Sequence, residues 1–432
     1  MSMWFWEKIQ TLLRENLISV TQQEKRRSPL APKNFPDMQP ISGVNMATGR
    51  TGIKYVGRDD LAIWILESGT NAIGLFTQSA LPAAPIIVSK DHIETASPRA
   101  LVVNSGNANA FTGLQGVMDC QSIATATAKA IGCKPDQVLL ASTGVIGESL
   151  PVQRIVERIP ELLNNIKPDA WREVAEAILT TDTFAKGAST CATIDGQPVT
   201  LCGVTKGSGM IAPNMATMLA FCFTDAHIPQ INLHEMLLAS AERTFHAITV
   251  DSDTSTSDML LLFATGKANN SPPHSSDDPR FTGFREALDD LLKDLAIQIV
   301  RDGEGATKLI EVRISGAKCD RSARKIADSI ANSPLVKTAI AGGDANWGRI
   351  IMALGKSGED MQAESLLIWI GGELVVRDGK RSECYDESRI TQHLEGDEIL
   401  IEVDLQIGKG NYTIWTCDLT HGYISINADY RS

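Results

Sequence analysis

The segment KGSGMIAPNMATMLAF, Lys206–Phe221, places two turn motifs and a threonine directly in front of an apolar run. The Lys-Gly-Ser-Gly and Pro-Asn motifs favour sharp backbone turns, because glycine accepts positive φ angles and proline fixes its own φ. The ordinary interpretation is a surface loop that leads into a buried element. The alternative is a self-processing site, in which the turns strain a peptide bond and Ala216 leaves the Thr217 hydroxyl accessible.

A threonine hydroxyl is a useful nucleophile only when a base takes its proton. A cut before Thr217 would provide that base, since a free α-amino group has an ordinary pKa of about 8 and belongs to the same residue. The same hydroxyl could make the cut by attacking the carbonyl of Ala216, which gives an ester that water opens. Nucleotide binding is not favoured, because the segment lacks the third glycine of a dinucleotide fingerprint and the GxxxxGK[ST] pattern.

Two other segments have patterns that suggest chemistry. In LLASTGVIGESL, Thr143 and Gly144 follow an apolar run and would supply a hydroxyl and an N–H to an oxyanion, although a turn with Thr143 as a helix cap fits equally well. In TVDSDTSTSD, Thr249–Asp258, the carboxylates resemble the aspartyl-phosphate motif of haloacid-dehalogenase-like phosphatases and could hold Mg²⁺. Ser255 departs from that motif, so a turn hydrogen-bonded by Ser and Asp side chains is favoured.

The composition is that of a globular protein that handles small molecules. The chain has 432 residues, 43% of them hydrophobic and 21% charged, with a formal net charge of −12. This acidity does not favour nucleic acid or a membrane as a partner, since both attract basic surfaces. The eight cysteines are scattered without a CxxC pair or a Cys-His cluster, so neither a metal site nor a disulfide framework is expected. A reducing compartment, the cytoplasm, fits best.

From about Gly43 strand-like and helix-like segments alternate, which predicts an α/β protein with sheets covered by helices. LAIWILES, IGLFTQ and ALVVNSG have the short apolar runs of buried strands, and FREALDDLLKDLAIQIV has the apolar stripe of a helix. Near the end, LIEVRISG predicts a strand, and LIEVDLQIGKGNYTIWTCDLT predicts a hairpin that turns at Gly408-Lys409-Gly410. Four apolar residues predict an N-terminal amphipathic helix rather than a membrane anchor: Trp6, Ile9, Leu13 and Leu17.

Taken together, the motifs resemble the glutamate N-acetyltransferase family, also called ornithine acetyltransferases, the self-cleaving threonine-nucleophile enzymes of arginine biosynthesis. The resemblance runs from about Gly43 to Ser432 and is much more specific than any one motif. Its eight segments, in order, are NSGNANA (Asn104–Ala110), STGVIG (Ser142–Gly147), TTDTF (Thr180–Phe184), KGSGMIAPNMATML (Lys206–Leu219), TVDSDTST (Thr249–Thr256), GEGATK (Gly303–Lys308), DANWGRI (Asp344–Ile350) and INADYRS (Ile426–Ser432).

The resemblance implies an α/β fold of the ornithine acetyltransferase or aminopeptidase type, with sheets packed between helix layers and a smaller C-terminal α/β part at about 309–432. It also implies cleavage between residues 216 and 217. The expected divisions are an N-terminal helix and linker at 1–40, an α chain at 41–216 and a β chain at 217–432. The two chains would assemble as α2β2.

The implied reaction moves an acetyl group from N2-acetyl-L-ornithine to L-glutamate through Thr217, in a ping-pong cycle without a cofactor. Ala216 and Thr217 match the family's cleavage site, and Thr143 and Gly144 match its oxyanion hole. The substrate contacts carry over to Thr180, Lys206, Thr217, Glu304, Asn427 and Ser432.

The chemistry of two of these residues suits amino-acid substrates. Lys206 can pair with an α-carboxylate, and Glu304 can pair with a cation such as the ornithine amine. Two alternatives stay open: a self-processing amidohydrolase or aminopeptidase of related fold, in which water accepts the acyl group, and a cleaved but inactive scaffold. No motif decides whether acetyl-CoA also donates acetyl groups. The chain has Ser432 where the family usually ends in Thr.

Overall fold

The computed structural model describes residues 27–212 and 218–428, and the predicted N-terminal helix falls outside them. The strands in the described residues are β1 (Val44–Gly49), β2 (Leu61–Leu66), β3 (Asn71–Phe76), β4 (Ala100–Asn107), β5 (Val138–Val145), β6 (Lys186–Ile194), β7 (Gln197–Lys206), β8 (Leu219–Thr224), β9 (Met259–Ala264), β10 (Leu309–Ala317), β11 (Leu367–Ile370), β12 (Glu373–Arg377), β13 (Lys380–Arg381), β14 (Glu398–Asp404) and β15 (Gly410–Cys417). The α-helices there are α1 (Ala84–Thr95), α2 (Gly113–Ile131), α3 (Val152–Leu162), α4 (Trp171–Ala177), α5 (Gln230–Arg243), α6 (Thr282–Arg301), α7 (Asp320–Ala331), α8 (Pro334–Ala341), α9 (Trp347–Gly355), α10 (Glu387–Leu394) and α11 (His421–Ala428). None of these helices is long and apolar enough to cross a membrane.

Two sheets lie face to face at the centre of the larger part of the fold. One has the strand order β1-β2-β4-β5, and the other has the order β3-β9-β8-β7-β6. Large apolar side chains from both sheets meet in one core. The rings of Trp64 and Phe223 stack with centroids 6.0 Å apart, and those of Phe223 and Phe263 stack at 4.9 Å. Such aromatic pairs stabilise the packing beyond their buried area. The Trp64–Phe223 pair joins the two sheets, whereas Phe223 and Phe263 lie on neighbouring strands of the five-stranded sheet.

Helices cover the outer face of each of these sheets. The core outside the four-stranded sheet joins it to α1, α2 and α3 through residues such as Ile123, Leu140 and Ile155. The five-stranded sheet is covered by α5 and α6. The apolar stripe predicted for α6 is buried there and consists of Phe284, Leu288, Leu291, Leu295 and Ile299. The order helix, sheet, sheet, helix confirms the predicted α/β class with sheets packed between helix layers.

The third sheet has the strand order β13-β12-β11-β14-β10-β15 and packs against α7, α8, α9 and α10. The predicted hairpin between β14 and β15 is wrong, because β10 lies between them, parallel to β14 and antiparallel to β15. The connection must therefore cross the end of β10. Gly408 and Gly410 allow this crossing, since a Cβ on either residue would overlap the backbone of Ala317 or Cys319.

Candidate active site

The residues matched to the oxyanion hole lie where β4 and β5 end side by side. The strands are parallel there, and Gly144 is the register partner of Gly106. Gly144 has a φ of +136°, and a Cβ on it would overlap the backbone carbonyl carbon of Gly106. Only glycine permits this approach. Thr143 is buried within β5 and caps no helix, so the helix-cap interpretation of this residue is wrong.

Lys206, the last residue of β7, joins this strand end to the loop after α4. Its Nζ donates hydrogen bonds to Thr143 Oγ1 at 3.2 Å and to Thr180 Oγ1 at 2.9 Å. The side chain is buried, and burial lowers the pKa of Lys206 while the Asp182 carboxylate acts in the opposite direction. An ammonium removed from water favours an anionic ligand. The structure therefore brings three of the predicted site residues to one buried point.

A network of buried charged side chains lies next to Lys206. Asp182 Oδ2 lies 3.9 Å from Lys206 Nζ, while Asp182 Oδ1 accepts hydrogen bonds from Lys186 Nζ at 2.7 Å and from the Gly207 amide at 2.6 Å. Lys186 Nζ also contacts Asp302 Oδ2 at 2.5 Å. Burial by itself would raise the pKa of Asp182, but the Lys186 and Lys206 ammonium groups hold it below its usual range. Since buried charges persist only when paired, this network fixes the Lys206 backbone and side chain.

The Asp182–Lys186–Asp302 network was not predicted from the sequence. Asp182 lies inside the quoted TTDTF segment, so a signal was present. Its partners are harder to find, because Lys186 and Asp302 are 116 residues apart in the chain. Only the fold brings β6 and the end of α6 together.

Glu304 and Asn427, two of the predicted substrate contacts, are bonded to each other. Asn427 Nδ2 donates to Glu304 Oε2 at 2.7 Å, and the Glu304 amide donates to the Ser208 carbonyl oxygen at 2.9 Å. Gly209 leaves room for this carboxyl group, since a Cβ there would lie 2.6 Å from Glu304 Cδ. Burial raises the pKa of Glu304, although the Asn427 hydrogen bond works against the shift. Ser432, the third predicted contact from this part of the chain, lies outside the described residues.

The acidic segment TVDSDTSTSD holds the backbone on both sides of the predicted cut. Asp251 accepts hydrogen bonds from the amides of Met210 at 2.7 Å and Ile211 at 2.9 Å. Asp258 Oδ1 accepts one from the amide of Met218 at 2.9 Å.

Within the segment, Asp251 Oδ1 accepts the Asp253 amide at 3.3 Å and Ser255 Oγ accepts the Ser257 amide at 3.1 Å, which confirms the predicted turn hydrogen-bonded by Ser and Asp side chains. Asp258 was not singled out from the sequence, although an Asp directly before the fully apolar MLLLFA run had to be buried.

A small cavity of about 30 Å³ marks the place where these groups converge. Its polar walls include Thr143 and Gly144 from β5, Lys206 from β7, and Asp258. Both sheets of the sandwich contribute, so the site lies at one end of their interface. The predicted nucleophile Thr217 and its neighbour Ala216 lie outside the described residues, between Ala212 and Met218.

Comparison with known proteins gives a consistent result over nearly the whole chain. The profile of the ArgJ family matches residues 45–432. The arginine biosynthesis bifunctional protein ArgJ of Gluconobacter oxydans is 50% identical over 405 residues, which cover 94% of this chain and 95% of the relative. The protein of the same name from Agrobacterium fabrum is 50% identical over 408 residues, covering 94% of this chain and 99% of the relative.

A crystal structure of the arginine biosynthesis bifunctional protein argJ from Bacillus halodurans is 45% identical and has a TM-score of 0.46, covering 48% of this chain and 96% of that chain. The family resemblance drawn from the eight motifs is therefore confirmed by matches that span most of the sequence. The chain belongs to the ArgJ family.

Proposed function

We propose that this protein is a glutamate N-acetyltransferase, which moves the acetyl group of N2-acetyl-L-ornithine to L-glutamate through an ester on Thr217, after cleavage between Ala216 and Thr217. Membership of a family whose relatives are named arginine biosynthesis bifunctional proteins supports the pathway. The observation that carries the proposal is the contact of Lys206 Nζ with Thr143 and Thr180. It supports the proposal because Lys206, whose ammonium group could bind a carboxylate, contacts the hydroxyl of the predicted oxyanion hole.

The hydrogen-bond directions suit Thr143 to the role of oxyanion donor. An ammonium group can only donate, so Thr143 Oγ1 accepts from Lys206 Nζ and keeps its own proton for another acceptor. In the proposed cycle the Thr217 hydroxyl attacks the acetyl carbonyl, and Thr143 Oγ1–H and the Gly144 N–H stabilise the oxyanion. The amine of ornithine leaves with a proton and the ester remains on Thr217. The amino group of glutamate then attacks the ester and restores the hydroxyl.

The charged groups also suit both substrates in turn. Ornithine and glutamate share an α-carboxylate, which Lys206 can bind in each half of the cycle. Glu304, held by Asn427, can pair with the side-chain amine of acetylornithine. Because burial raises the pKa of Glu304, this carboxyl group can take up a proton more readily when the second carboxylate of glutamate enters.

We propose that the α and β chains stay together after cleavage, because the cut falls between two strands that pair with each other. β7 ends before it and β8 begins after it, and they are antiparallel neighbours from Leu201↔Thr224 to Lys206↔Leu219. In the same sheet β8 and β9 lie between β3 and β7. Strands from both products are thus interleaved in one sheet, which supports the stable association of one α chain with one β chain.

The test is the release of ornithine from N2-acetyl-L-ornithine, measured with and without L-glutamate. The proposal predicts release only with glutamate, in an amount equal to the N-acetylglutamate formed. Equal release without glutamate would support the self-processing amidohydrolase instead. A cleaved protein without turnover would support the scaffold. Formation of N-acetylglutamate from acetyl-CoA and L-glutamate, without acetylornithine, tests the second donor.

A further inference from the structure

We propose that Asp182 is a positioning residue of the acetyl-transfer site: its carboxylate keeps the Lys206 side chain in the ammonium form and turns the hydroxyl proton of Thr180 towards itself. This inference rests on the function proposed above. It adds a residue that neither the predicted oxyanion hole nor the predicted substrate contacts include.

The first part of the argument is that both carboxyl oxygens of Asp182 contact the site. Oδ2 lies 3.9 Å from Lys206 Nζ and accepts the amide of Thr180 at 3.0 Å. Oδ1 accepts the amide of Gly207 at 2.6 Å. One carboxylate therefore holds the backbone of Thr180 and the peptide unit that follows Lys206. The 2.9 Å contact between Lys206 Nζ and Thr180 Oγ1 depends on this spacing.

The second part is the direction of a hydroxyl proton. Lys206 Nζ donates to the hydroxyl oxygens of both Thr143 and Thr180. The Thr180 hydroxyl donates in turn to Asp182 Oδ2 at 3.4 Å. A hydroxyl has one proton to donate, so that of Thr180 is committed to the carboxylate. Asp182 thereby distinguishes the two hydroxyls, and Thr143 is the one that donates to the oxyanion in the proposed cycle.

The third part is the balance of buried charge. Asp182 and Asp302 both contact the ammonium of Lys186, and all three side chains are completely buried. Two carboxylates and one ammonium carry an excess negative charge, which is costly away from water unless another cation compensates it. The ammonium of Lys206 supplies that positive charge. Of the two carboxylates, Asp182 is the one that reaches Lys206.

The electrostatic consequence concerns the titration of Lys206. Burial lowers the pKa of Lys206, and the nearby Lys186 ammonium lowers it further. Three carboxylates raise this pKa, Asp182 most strongly and Glu304 and Asp258 less. Only the ammonium form binds the carboxylate of a substrate, so the falling limb of the kcat/KM–pH profile follows the pKa of Lys206. Removing the charge of Asp182 moves this limb to lower pH.

The experiment compares the wild-type protein with Asp182→Asn by measuring kcat and KM for acetylornithine from neutral to alkaline pH. Asn keeps the shape of the side chain and removes its charge. We expect the falling limb to move about 1–3 pH units to lower pH, the usual effect of a nearby opposite charge. Above the shifted limb KM rises and kcat changes much less, because the substrate carboxylate is bound in both the ground state and the transition state. The substrates titrate identically in all variants, so they cannot cause the difference.

Two further variants separate this role from a purely structural one. Asp302→Asn removes the other carboxylate that contacts Lys186, so it lowers the melting temperature as Asp182→Asn does but leaves the limb near its wild-type position. Lys186→Met removes the cation that lowers the pKa of Lys206, so the limb moves to higher pH. This opposite shift decides the question even if Asp182→Asn does not fold.

A measurement without substrate separates the inference from the proposed function. Lys206 lines the site cavity, so deuterated acetic anhydride can label its neutral amine, and peptide mass at each pH then gives the pKa. The inference is overturned if folded Asp182→Asn keeps the wild-type pKa and limb, if Asp302→Asn shifts them equally, or if Lys186→Met does not raise them. The expected order of pKa values in a protein that releases no ornithine with glutamate would support the inference about Lys206 and refute the proposed function.

Discussion

The two parts of the described chain differ in the burial of their charged side chains. The sandwich of the first two sheets encloses a group of buried charged residues: Asp182, Lys186, Lys206, Asp258, Asp302 and Glu304. The core of the C-terminal sheet is apolar, and Arg313 on β10, the strand next to the edge strand β15, is exposed. Lys337 on α8 is a buried exception, and its Nζ donates to Val250 O and to Thr416 Oγ1 on β15.

This difference separates the part of the fold that holds most of the candidate site from the C-terminal sheet. Removing a charge from water costs several kcal/mol unless a partner compensates, so stability alone does not favour such a cluster. Strongly perturbed ionisable groups that face one cavity are typical of functional sites. The C-terminal sheet follows the ordinary rule of an apolar core between strands and helices.

The largest effect should come from the nucleophile itself. Thr217→Ala removes the hydroxyl that makes the cut and carries the acetyl group, so we expect a single uncut chain without turnover. Thr217→Ser keeps a hydroxyl and serves as the control, with cleavage and activity retained in part. Intact mass and the ornithine-release assay measure both. Full activity in uncut Thr217→Ala protein would rule out the proposed mechanism.

Lys186→Met tests the buried network directly. It leaves Asp182 and Asp302 buried without their shared cation, and breaking such a pair typically costs about 3–5 kcal/mol of unfolding free energy. Lys325→Met is the control in the C-terminal part, where an exposed Lys325 pairs with a partly exposed Glu359 and the loss should be much smaller. Urea denaturation gives both values. Similar losses of unfolding free energy in the two variants would show that the two regions do not differ in this respect.

Thr143→Ala tests the oxyanion hole and leaves every ionisable side chain in place, although Lys206 Nζ loses one of its two hydroxyl acceptors. Removing one donor typically lowers kcat on the order of 10²–10³-fold, and the folded structure should persist. Thr127→Ala is a matched control, since Thr127 is equally buried but bonds only within α2, to the Ile123 carbonyl oxygen. Steady-state kinetics of the cleaved proteins measure kcat for both variants, and only Thr143→Ala should show the loss. An unchanged kcat in Thr143→Ala would show that Thr143 is not an oxyanion donor.

The smallest effect concerns pH and stability. Burial raises the folded-state pKa of Glu304 above its ordinary value of 4.5. The folded protein therefore holds this proton more tightly than the unfolded chain, and the stabilisation present below about pH 4.5 is lost as the pH rises through the raised pKa. Glu304→Gln should flatten this part of the stability–pH curve, whereas Glu311→Gln on the C-terminal sheet should not. Melting temperatures are measured across this pH range. If Glu304 makes no such contribution, the curves of the wild-type protein and of Glu304→Gln run parallel.

The sequence predicted the layers well because each strand and helix carries its own pattern. In the stripe of α6 and the apolar runs of β2 and β4, the local spacing of apolar residues predicts which side chains are buried. The β14–β15 hairpin was wrong because pairing is decided by the whole sheet, and β10 occupies the position between the two strands.

The site was predictable only in part, for the same reason. Thr143, Lys206 and Thr180 were found through motifs, and the fold does bring them together. Asp182 and Asp258 were not singled out, since their roles depend on contacts with residues far away in the chain. A hydrogen bond from Met218 to Asp258 spans 40 residues and leaves no periodic signal.

The central claim is that the buried charges of the sandwich serve an acetyl-threonine site. The most direct measurement is the mass of the fragment that begins Thr217-Met-Leu-Ala-Phe after purified protein has been mixed with N2-acetyl-L-ornithine alone and quenched in acid. The account predicts two chains, with one added acetyl group on Thr217 that disappears when L-glutamate is supplied. A single uncut chain, or a cleaved chain that never carries the acetyl group, would contradict it.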